Sequence, residues 1–526
     1  MIGPPNGWRV ALAIASGILM AASFPPVGAS VLAPVAVALL VIAAFRASVL
    51  WGLGLGLLQG LLCFGLLLRW LSVVGGDAWV LLTLLCAAWI ALAGAGTALV
   101  TRLPAWPFWV ACVWVLQEAL RDRIPLGGFS WGRLAFAQTA TSLTPWAAVA
   151  GAPAVTFVTA LAGALLALVA LLAWRRPPHW VRPSVLTAVG LVALALLGLL
   201  IPRPVAGQDL GGPASTTAAV IQGGVPVTGL GNNDQRRVVL DNHVRETVAL
   251  AQRVAEGDAP QPQFVVWPEN ASDLDPFAVD EAAAAIDVAA RAIEAPLIVG
   301  AVITPEGLPD NVANVGIVWD PQTGPGEYYV KTHPVPFGEY VPFRPLLTRI
   351  IGRFDLVPRD FIAGDVPGVL QAGPARIGDV ICFEIAYDHV VREAVVAGGR
   401  AIVVQTNNAT FAGLGQPEQQ VAMSRLRAVE HGRTVLVAAT SGISAIIDPA
   451  GRVLQVIPEG GTGALVAEIP LRDDLTLADR LGPWPEALLA LAGAAAMLWA
   501  LVGLGRRGVG RAATNGDGAQ VTPEDA

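Results

Sequence analysis

Lysine is almost absent from this chain of 526 residues, and its only example is Lys331. All other basic side chains are arginines, whose wide planar group keeps its charge and cannot replace a compact ammonium. Charged residues are also scarce, at 14%, whereas 54% of the chain is hydrophobic. This balance excludes an ordinary soluble protein and predicts a membrane protein. The net charge of -7 indicates that nucleic acid is not a partner.

Cysteine is also rare, with four residues in the chain. Cys63, Cys86 and Cys112 lie inside apolar runs, and only Cys382 lies in a segment that reads as soluble. This distribution predicts no disulfide framework and no zinc site. Cys382 is therefore the one cysteine that we consider for chemistry.

Long apolar runs dominate the first 200 residues and return near the end. A bilayer core of about 30 Å requires about 20 residues of helix, and the sequence predicts about eight spans, at 8–24, 30–45, 49–68, 78–100, 106–119, 144–174, 184–201 and 484–505. The first run is expected to be a retained signal anchor. The predicted domains are a membrane domain with about seven transmembrane helices (1–204), a water-exposed insertion (205–483), a final transmembrane helix (484–505) and a disordered cytoplasmic tail (506–526).

Loop arginines predict the orientation in the cell (inner/plasma) membrane, since positive residues favour the cytoplasmic side. If the N-terminus is cytoplasmic, nine arginines fall inside, namely Arg9, Arg46, Arg102, Arg175, Arg176, Arg182, Arg506, Arg507 and Arg511. Five fall outside, namely Arg69, Arg121, Arg123, Arg133 and Arg203. The insertion after seven spans is then extracytoplasmic.

The insertion changes to short β-type segments alternating with amphipathic helices, which indicates an α/β domain. Strands are predicted at 216–222, 263–267, 297–303, 312–319, 327–331, 368–372, 378–383, 401–405, 435–448 and 453–457. Helices are predicted at 234–256, 277–294, 388–398 and 416–432.

Three reactive side chains follow predicted strands, where active sites of α/β folds gather. Glu269 follows VVWP, Lys331 ends EYYV, and Cys382 ends DVI. Each has an ordinary alternative: an exposed turn glutamate, a surface lysine and a buried core cysteine. Taken together they supply a general base, a charge stabiliser and a nucleophile. His333 and His389 are interpreted as a turn residue and a helix-start residue.

The motifs WPEN, YVKTHPVPFGEYVPFR and ICFEIAYD resemble the glutamate, lysine and cysteine motifs of the nitrilase (carbon-nitrogen hydrolase) superfamily. With the flanking spans, nearly the whole chain resembles the apolipoprotein N-acyltransferase family. The chain departs from the family at Phe383, where tyrosine is common, and at the run Asn407 to Phe411. The resemblance implies a polytopic helical bundle with an inserted nitrilase-like α-β-β-α sandwich.

By this resemblance the protein is an acyltransferase of lipoprotein biosynthesis with catalytic Glu269, Lys331 and Cys382. It would transfer a fatty acyl chain from a membrane phospholipid to the amino group of the diacylglyceryl-cysteine of an apolipoprotein, through a Cys382 thioester. Glu339 would pair with Lys331, the Phe383 N–H would join the oxyanion site, and Lys331 would lower the thiol pKa. Strand alternation would place Glu384 on the face of Cys382. No metal or soluble cofactor is implied.

Two other functions remain open on the residues alone. One is a membrane-tethered nitrilase-type amidohydrolase with water as the acceptor. The other is a transporter or scaffold, which the few charges within the spans disfavour. The apolar segment 340–361 is interpreted either as a mobile lid that rests on the membrane or as a loop packed permanently on the domain.

Overall fold

A computed structural model describes residues 4–202, 215–225, 232–349, 352 and 358–516. The helices are α1 (Asn6–Ala22), α2 (Leu32–Ala44), α3 (Val49–Leu67), α4 (Gly76–Val100), α5 (Trp106–Arg121), α6 (Ala147–Arg175), α7 (Val181–Leu200), α8 (Asn232–Ala255), α9 (Asp280–Ile293), α10 (Arg344–Leu347), α11 (Asp388–Val396), α12 (Gln416–His431), α13 (Leu477–Leu481) and α14 (Trp484–Gly516).

Helices α1 to α7 and α14 occupy the eight predicted apolar runs. Five helical segments are long and apolar enough to cross a membrane, namely Val49–Leu67, Gly76–Val100, Thr144–Arg175, Val181–Leu200 and Trp484–Leu504. Helices α1 and α2 are apolar but shorter, so the number of eight spans stays a prediction. Helix α14 continues to Gly516, through the first part of the segment predicted to be disordered. Residues 517–526 of that segment lie outside the described residues.

Small residues bring α3 and α4 together. A Cβ at Gly94 would lie 2.2 Å from the Gly52 carbonyl oxygen, and a Cβ at Gly56 would lie 2.4 Å from the Ile90 carbonyl oxygen. Only glycine permits this backbone approach. Close packing of this kind holds membrane helices together, because the surrounding lipid is as apolar as their side chains and the hydrophobic effect does not drive them to associate.

The insertion forms two sheets. Their strands are β1 (Ser215–Gln222), β2 (Phe264–Val266), β3 (Leu297–Ile303), β4 (Asn311–Asp320), β5 (Gly324–Val330), β6 (Asp360–Phe361), β7 (Val369–Ala372), β8 (Ala375–Ile381), β9 (Ala401–Thr406), β10 (Val435–Ala439), β11 (Ser444–Ile447), β12 (Val453–Ile457) and β13 (Gly463–Pro470). The first sheet has the order β13-β1-β2-β3-β4-β5, with β6 beside β4, and the second has the order β12-β11-β10-β9-β8-β7. Pairing is parallel for β1-β2-β3 and for β8-β9-β10.

The two sheets pack face to face between helical layers, which is the predicted α-β-β-α arrangement. Apolar residues of both sheets, such as Val220, Phe264, Ile377 and Leu436, form one buried cluster. Helices α8 and α9 pack on the outer face of the first sheet. Helices α11 and α12 cover the second sheet and share a core with the membrane helices. Helix α12 therefore lies between the two-sheet domain and the apolar helices of the first 200 residues.

The predicted strands and helices of the insertion are present, but one predicted strand is divided and four elements, β6, β13, α10 and α13, were not predicted. The predicted strand 435–448 is wrong as a single element, because β10 and β11 are separate antiparallel strands joined by a turn. Strand β13, which pairs along the full length of β1, was not predicted. Neither was the two-residue strand β6.

The segment 340–361 is described only in part. Residues 350–351 and 353–357 lie outside the described residues, so the choice between a lid and a packed loop stays open. Both ends are fastened, because Arg344 Nε donates to Asp360 Oδ2 over 3.0 Å and the Val341 N–H donates to Asp360 Oδ1 over 3.0 Å. Phe343 is 73% exposed between these contacts.

Candidate active site

The three predicted reactive residues lie just beyond the ends of strands in two facing sheets. Glu269 follows β2, Lys331 directly follows β5, and Cys382 directly follows β8. Gln405 at the end of β9 joins the sheets, because its Nε2 donates to the Trp267 carbonyl oxygen over 2.6 Å. The site is thus built where strand ends of both sheets meet.

Glu269 is buried, with 5% of its surface exposed. It can lie against β3 because Gly300 has no side chain: a Cβ there would be 2.1 Å from the Pro268 carbonyl oxygen and 2.7 Å from Glu269 Cα. Its Oε2 accepts the Asn407 backbone N–H over 2.8 Å. Its Oε1 accepts Asn314 Nδ2 over 2.7 Å. These contacts fix a carboxylate in a protected position.

Lys331 lies between two carboxylates. Its Nζ is 3.2 Å from Glu269 Oε1 and 2.9 Å from Glu339 Oε1, and 1% of the residue is exposed. Burial opposes the charged form, but Glu339 and Glu269 outweigh it and raise the pKa of Lys331 well above its usual value. Asn314 Nδ2 also donates to Glu339 Oε1 over 3.0 Å. The expected pairing of Glu339 with Lys331 is present in the structure.

Cys382 occupies a strained turn. Its φ is 56°, a left-handed value that non-glycine residues rarely adopt and that is common at functional sites. Strand β8 ends at Ile381, and Cys382–Ala386 forms a 3₁₀ turn. Thr406 Oγ1 lies 3.4 Å from the half-buried Sγ, and Gln420 Nε2 donates to the Cys382 carbonyl oxygen over 3.0 Å. The thiol and the carbonyl group of Cys382 therefore have different partners: Thr406 contacts the thiol, and Gln420 holds the carbonyl oxygen.

The pKa of the Cys382 thiol is raised overall. Burial and the Glu269 carboxylate raise the pKa of Cys382 to about 12, although Lys331 and the Thr406 hydroxyl lower it. Lys331 lowers the thiol pKa as expected, but desolvation and the neighbouring carboxylate, which the expectation left out, outweigh it. The resting residue is a thiol, and a base must remove its proton.

Glu384 connects the lysine and cysteine segments. It is fully buried and accepts hydrogen bonds from the Tyr329 hydroxyl, the Thr332 N–H and hydroxyl, the His333 N–H and the Ile381 N–H, over 2.7 to 3.0 Å. The strand alternation used to place Glu384 does not apply, because the residue lies in the 3₁₀ turn. Its contacts place it beneath the turn, where it holds the segment after Lys331.

Phe383 faces the membrane domain. Its ring stacks on Trp131 with a centroid separation of 5.5 Å and an angle of 7°, and on Phe129 at 5.6 Å. The two histidines also meet, since His333 Nε2 lies 3.1 Å from His389 Nε2. Among the described residues there is no group of three or more His, Cys, Asp or Glu side chains placed to hold a metal ion.

Several site contacts could not be found from the sequence. Three examples are Asn314 within β4, Thr406 at the end of β9 and Gln420 within α12. No local sequence pattern distinguishes them from their neighbours. The run Asn407-Asn408 was noted only through the family resemblance. Its Asn407 N–H supplies one of the three hydrogen bonds that fix Glu269, beside those of Asn314 and Lys331. Asn314 is recognisable only once β4 is paired beside β5.

Two family models match the chain. Residues 16–165 match the apolipoprotein N-acyltransferase N-terminal domain, and residues 218–474 match the carbon-nitrogen hydrolase family. The second match covers the two-sheet domain from β1 past β13 and contains Glu269, Lys331 and Cys382.

Curated relatives match over nearly the full length. An apolipoprotein N-acyltransferase of Mycolicibacterium smegmatis is 40% identical over 510 residues, covering 94% of this chain and 85% of the relative. One of Geobacter metallireducens is 30% identical over 500 residues, covering 90% and 91%. Among solved structures, a mutant of the Nesterenkonia AN1 amidase from the nitrilase superfamily is 19% identical with a TM-score of 0.38, covering 53% of this chain and 100% of that one.

Proposed function

The chain belongs to the apolipoprotein N-acyltransferase family, and from this premise we propose that Glu269, Lys331 and Cys382 carry out its acyl transfer. The enzyme transfers a fatty acyl chain from a membrane phospholipid to the N-terminal amino group of a diacylglyceryl-cysteine in an apolipoprotein. The observation that carries the assignment of roles is the cluster itself: a buried carboxylate 3.2 Å from a buried ammonium, beside a strained cysteine.

In the first half-reaction Glu269 removes the Sγ proton, and the thiolate attacks the ester carbonyl of the phospholipid. Two of the three protons of the Lys331 ammonium bond to Glu269 and Glu339. The third can bind the oxyanion, together with the Phe383 N–H. The oxyanion collapses, the C–O bond breaks, and the lysophospholipid oxygen takes the proton from Glu269. The acyl group stays on Sγ as a thioester.

In the second half-reaction the amino group of the lipoprotein attacks the thioester carbonyl. Glu269 takes a proton from the amine, Lys331 again stabilises the oxyanion, and the C–S bond breaks. The thiolate regains a proton as the amide leaves. The raised pKa of Cys382 favours this last step, because a basic thiolate captures a proton readily.

The membrane part supplies the donor. Each acyl CH₂ moved from lipid into water costs about 0.8 kcal/mol, so the acyl chain remains in the bilayer while its ester reaches Cys382. In this proposal residues 1–204 and 484–505 lie in the membrane, and residues 205–483 stand on the extracytoplasmic face, which the loop arginines favour. The partners are the phospholipid donor, the diacylated lipoprotein and the membrane.

Purified protein incubated with phospholipid and a diacylated lipopeptide tests this function. Transfer predicts lysophospholipid together with a triacylated peptide, and a mass increase of one acyl group on the Cys382 peptide before the acceptor is added. Free fatty acid as the sole product would support the amidohydrolase alternative. Full activity in Cys382→Ala, with Cys112→Ala as the matched control, would contradict the assigned nucleophile.

A further inference from the structure

A chain of ion pairs through two buried arginines connects the membrane domain to Cys382–Ala386, the nucleophile turn. Its first member is Arg133, in the segment 122–146 between α5 and α6, with 2% of its side chain exposed. Its guanidinium contacts carboxylates of the membrane domain at 3.2 Å from Asp122 Oδ2, 3.4 Å from Glu486 Oε1 and 3.6 Å from Glu118 Oε2. Helices α5 and α14 thus hold this arginine in place.

The same arginine reaches the catalytic domain through Asp388. Arg133 Nη1 lies 2.7 Å from Asp388 Oδ2, and the other oxygen, Oδ1, lies 2.7 Å from Arg427 Nη2. Asp388 is the first residue of α11, two residues after the 3₁₀ turn that begins with Cys382. One carboxylate therefore joins an arginine of the membrane domain to an arginine of α12.

Arg427 completes the connection to the turn. It is fully buried, and its Nε and Nη2 donate to the carbonyl oxygens of Ile385 and Ala386 over 2.9 and 2.8 Å. Because these carbonyls point towards Arg427, the turn has a fixed orientation. A turn with a left-handed Cys382 needs such fixing, since an unrestrained chain would leave this backbone conformation.

Aromatic contacts follow the same route. The Phe383 ring stacks on Trp131, two residues before Arg133, and the Tyr387 hydroxyl donates to the Gly128 carbonyl oxygen over 3.2 Å. Both ends of the nucleophile turn therefore contact the segment 122–146.

We propose that Arg133 and Asp388 are positioning residues: through Arg427 they hold the Cys382–Ala386 turn so that the thiol and the Phe383 N–H face the reacting ester. The inference rests on the proposed function and adds that the membrane domain sets the geometry of the catalytic turn. A salt link that served only to join the domains would affect assembly and leave the chemical step unchanged.

Asp388→Asn in the full-length protein is the sharpest test. It neutralises the link, but Arg133 keeps three other carboxylates and Arg427 keeps Glu430, so the fold should persist. We expect thioester formation at saturating phospholipid to fall at least about ten-fold, with KM for phospholipid changed less than two-fold. Arg133→Gln should behave alike. The control Asp473→Asn, on an exposed aspartate 2.9 Å from Arg400 Nε, should stay within two-fold of wild type.

The possible results distinguish a failure of the positioning role from a failure of the proposed acyl-transfer function. Wild-type protein that never forms a Cys382 thioester would contradict the proposed function itself. If the wild type forms the thioester and Asp388→Asn forms it at the same rate, the positioning role is wrong. An effect on KM alone would also exclude it. If Arg133→Gln fails to fold, Asp388→Asn decides the question.

Discussion

At Cys382 two neighbouring charges act in opposite directions on the thiol. Burial is the largest cause that raises the thiol pKa, the Glu269 carboxylate raises it further and the Lys331 ammonium lowers it, so the pKa reaches about 12. The resting site thus keeps a neutral nucleophile near a base. This arrangement protects the thiol from adventitious alkylation and oxidation, which require the thiolate.

The raised pKa predicts the pH dependence of thiol labelling. In a protein with Cys63, Cys86 and Cys112 replaced by alanine, the rate of Cys382 alkylation by iodoacetamide should keep rising through pH 10. An ordinary thiol, with a pKa of about 8.5, levels off above pH 9. The thiolate fraction grows with pH until the pKa is passed, and here that point lies near 12. Mass spectrometry of the labelled peptide measures the rate, and a plateau reached by pH 10 would contradict the prediction.

Glu269→Gln should change labelling and catalysis in opposite directions. Removing the carboxylate lowers the pKa of Cys382, because Glu269 raises it, so iodoacetamide should react faster at pH 8. Acyl transfer should fall by about 10²- to 10⁴-fold, the usual contribution of a general base. Slower labelling together with unchanged transfer would show that the glutamate is not the base. Glu306→Gln, on an exposed turn, is the matched control.

Glu339→Gln tests the second carboxylate on Lys331. Glu339 is the larger of the two carboxylate contributions that raise the lysine pKa, and it lies closer to Nζ. Without it the ammonium should pair with Glu269 alone and occupy the base. We expect the thioester-forming rate to fall about 10- to 100-fold, because a preorganised oxyanion donor is lost, while KM for phospholipid changes little. A variant with wild-type turnover would remove Glu339 from the mechanism.

At the scale of elements, Glu384 joins β8 to the segment after β5. Its two oxygens accept hydrogen bonds from five donor groups, which belong to Tyr329, Thr332, His333 and Ile381. Glu384→Gln puts an amide group among donors, and a buried unsatisfied donor costs about 1–3 kcal/mol. We expect a lower apparent melting temperature by a few degrees and a loss of thioester formation of at least about ten-fold. Glu393→Gln, exposed on α11, should change neither.

The strands and helices were predictable from the sequence where the hydrophobic pattern that marks them lies within the element itself. Apolar runs ended by proline or a reactive residue predicted β2 within one residue of its observed bounds, and β5 and β8 within three. The turn between β10 and β11 was missed, because Thr440, Ser441 and Gly442 interrupt an apolar run too briefly to mark a boundary. Strand β13 alternates buried and exposed positions only weakly, and its pairing with β1 depends on a contact more than 240 residues away.

The candidate site was likewise predictable only where its residues follow a local sequence pattern. Glu269, Lys331 and Cys382 were found because each reactive side chain ends a strand. Asn314, Thr406 and Gln420 were missed, since their importance arises from tertiary contacts that no local pattern contains. The direction of the thiol pKa was missed for a related reason: desolvation is a property of the folded site.

At the scale of the whole molecule, α12 is where the two domains meet. Gln419 on this helix accepts Trp131 Nε1 over 2.6 Å, and its amide donates to the carbonyl oxygens of Pro25 and Leu67 over 3.2 Å each. Gln420, the next residue, holds the Cys382 carbonyl. One turn of helix thus contacts membrane helices on one side and the nucleophile turn on the other, so the catalytic domain is built onto the bundle.

The orientation of the chain remains to be measured, and the loop arginines predict it. Asp258, exposed after α8, should face outward, whereas Arg176, exposed after α6, should face the cytoplasm. In a protein with all four native cysteines replaced by alanine, a membrane-impermeant maleimide applied to intact cells should label Asp258→Cys and leave Arg176→Cys unlabelled. Both should react after the membrane is permeabilised, which controls for access. The reverse pattern would place the thiol site in the cytoplasm, and the assignment of the nine inside arginines would be wrong.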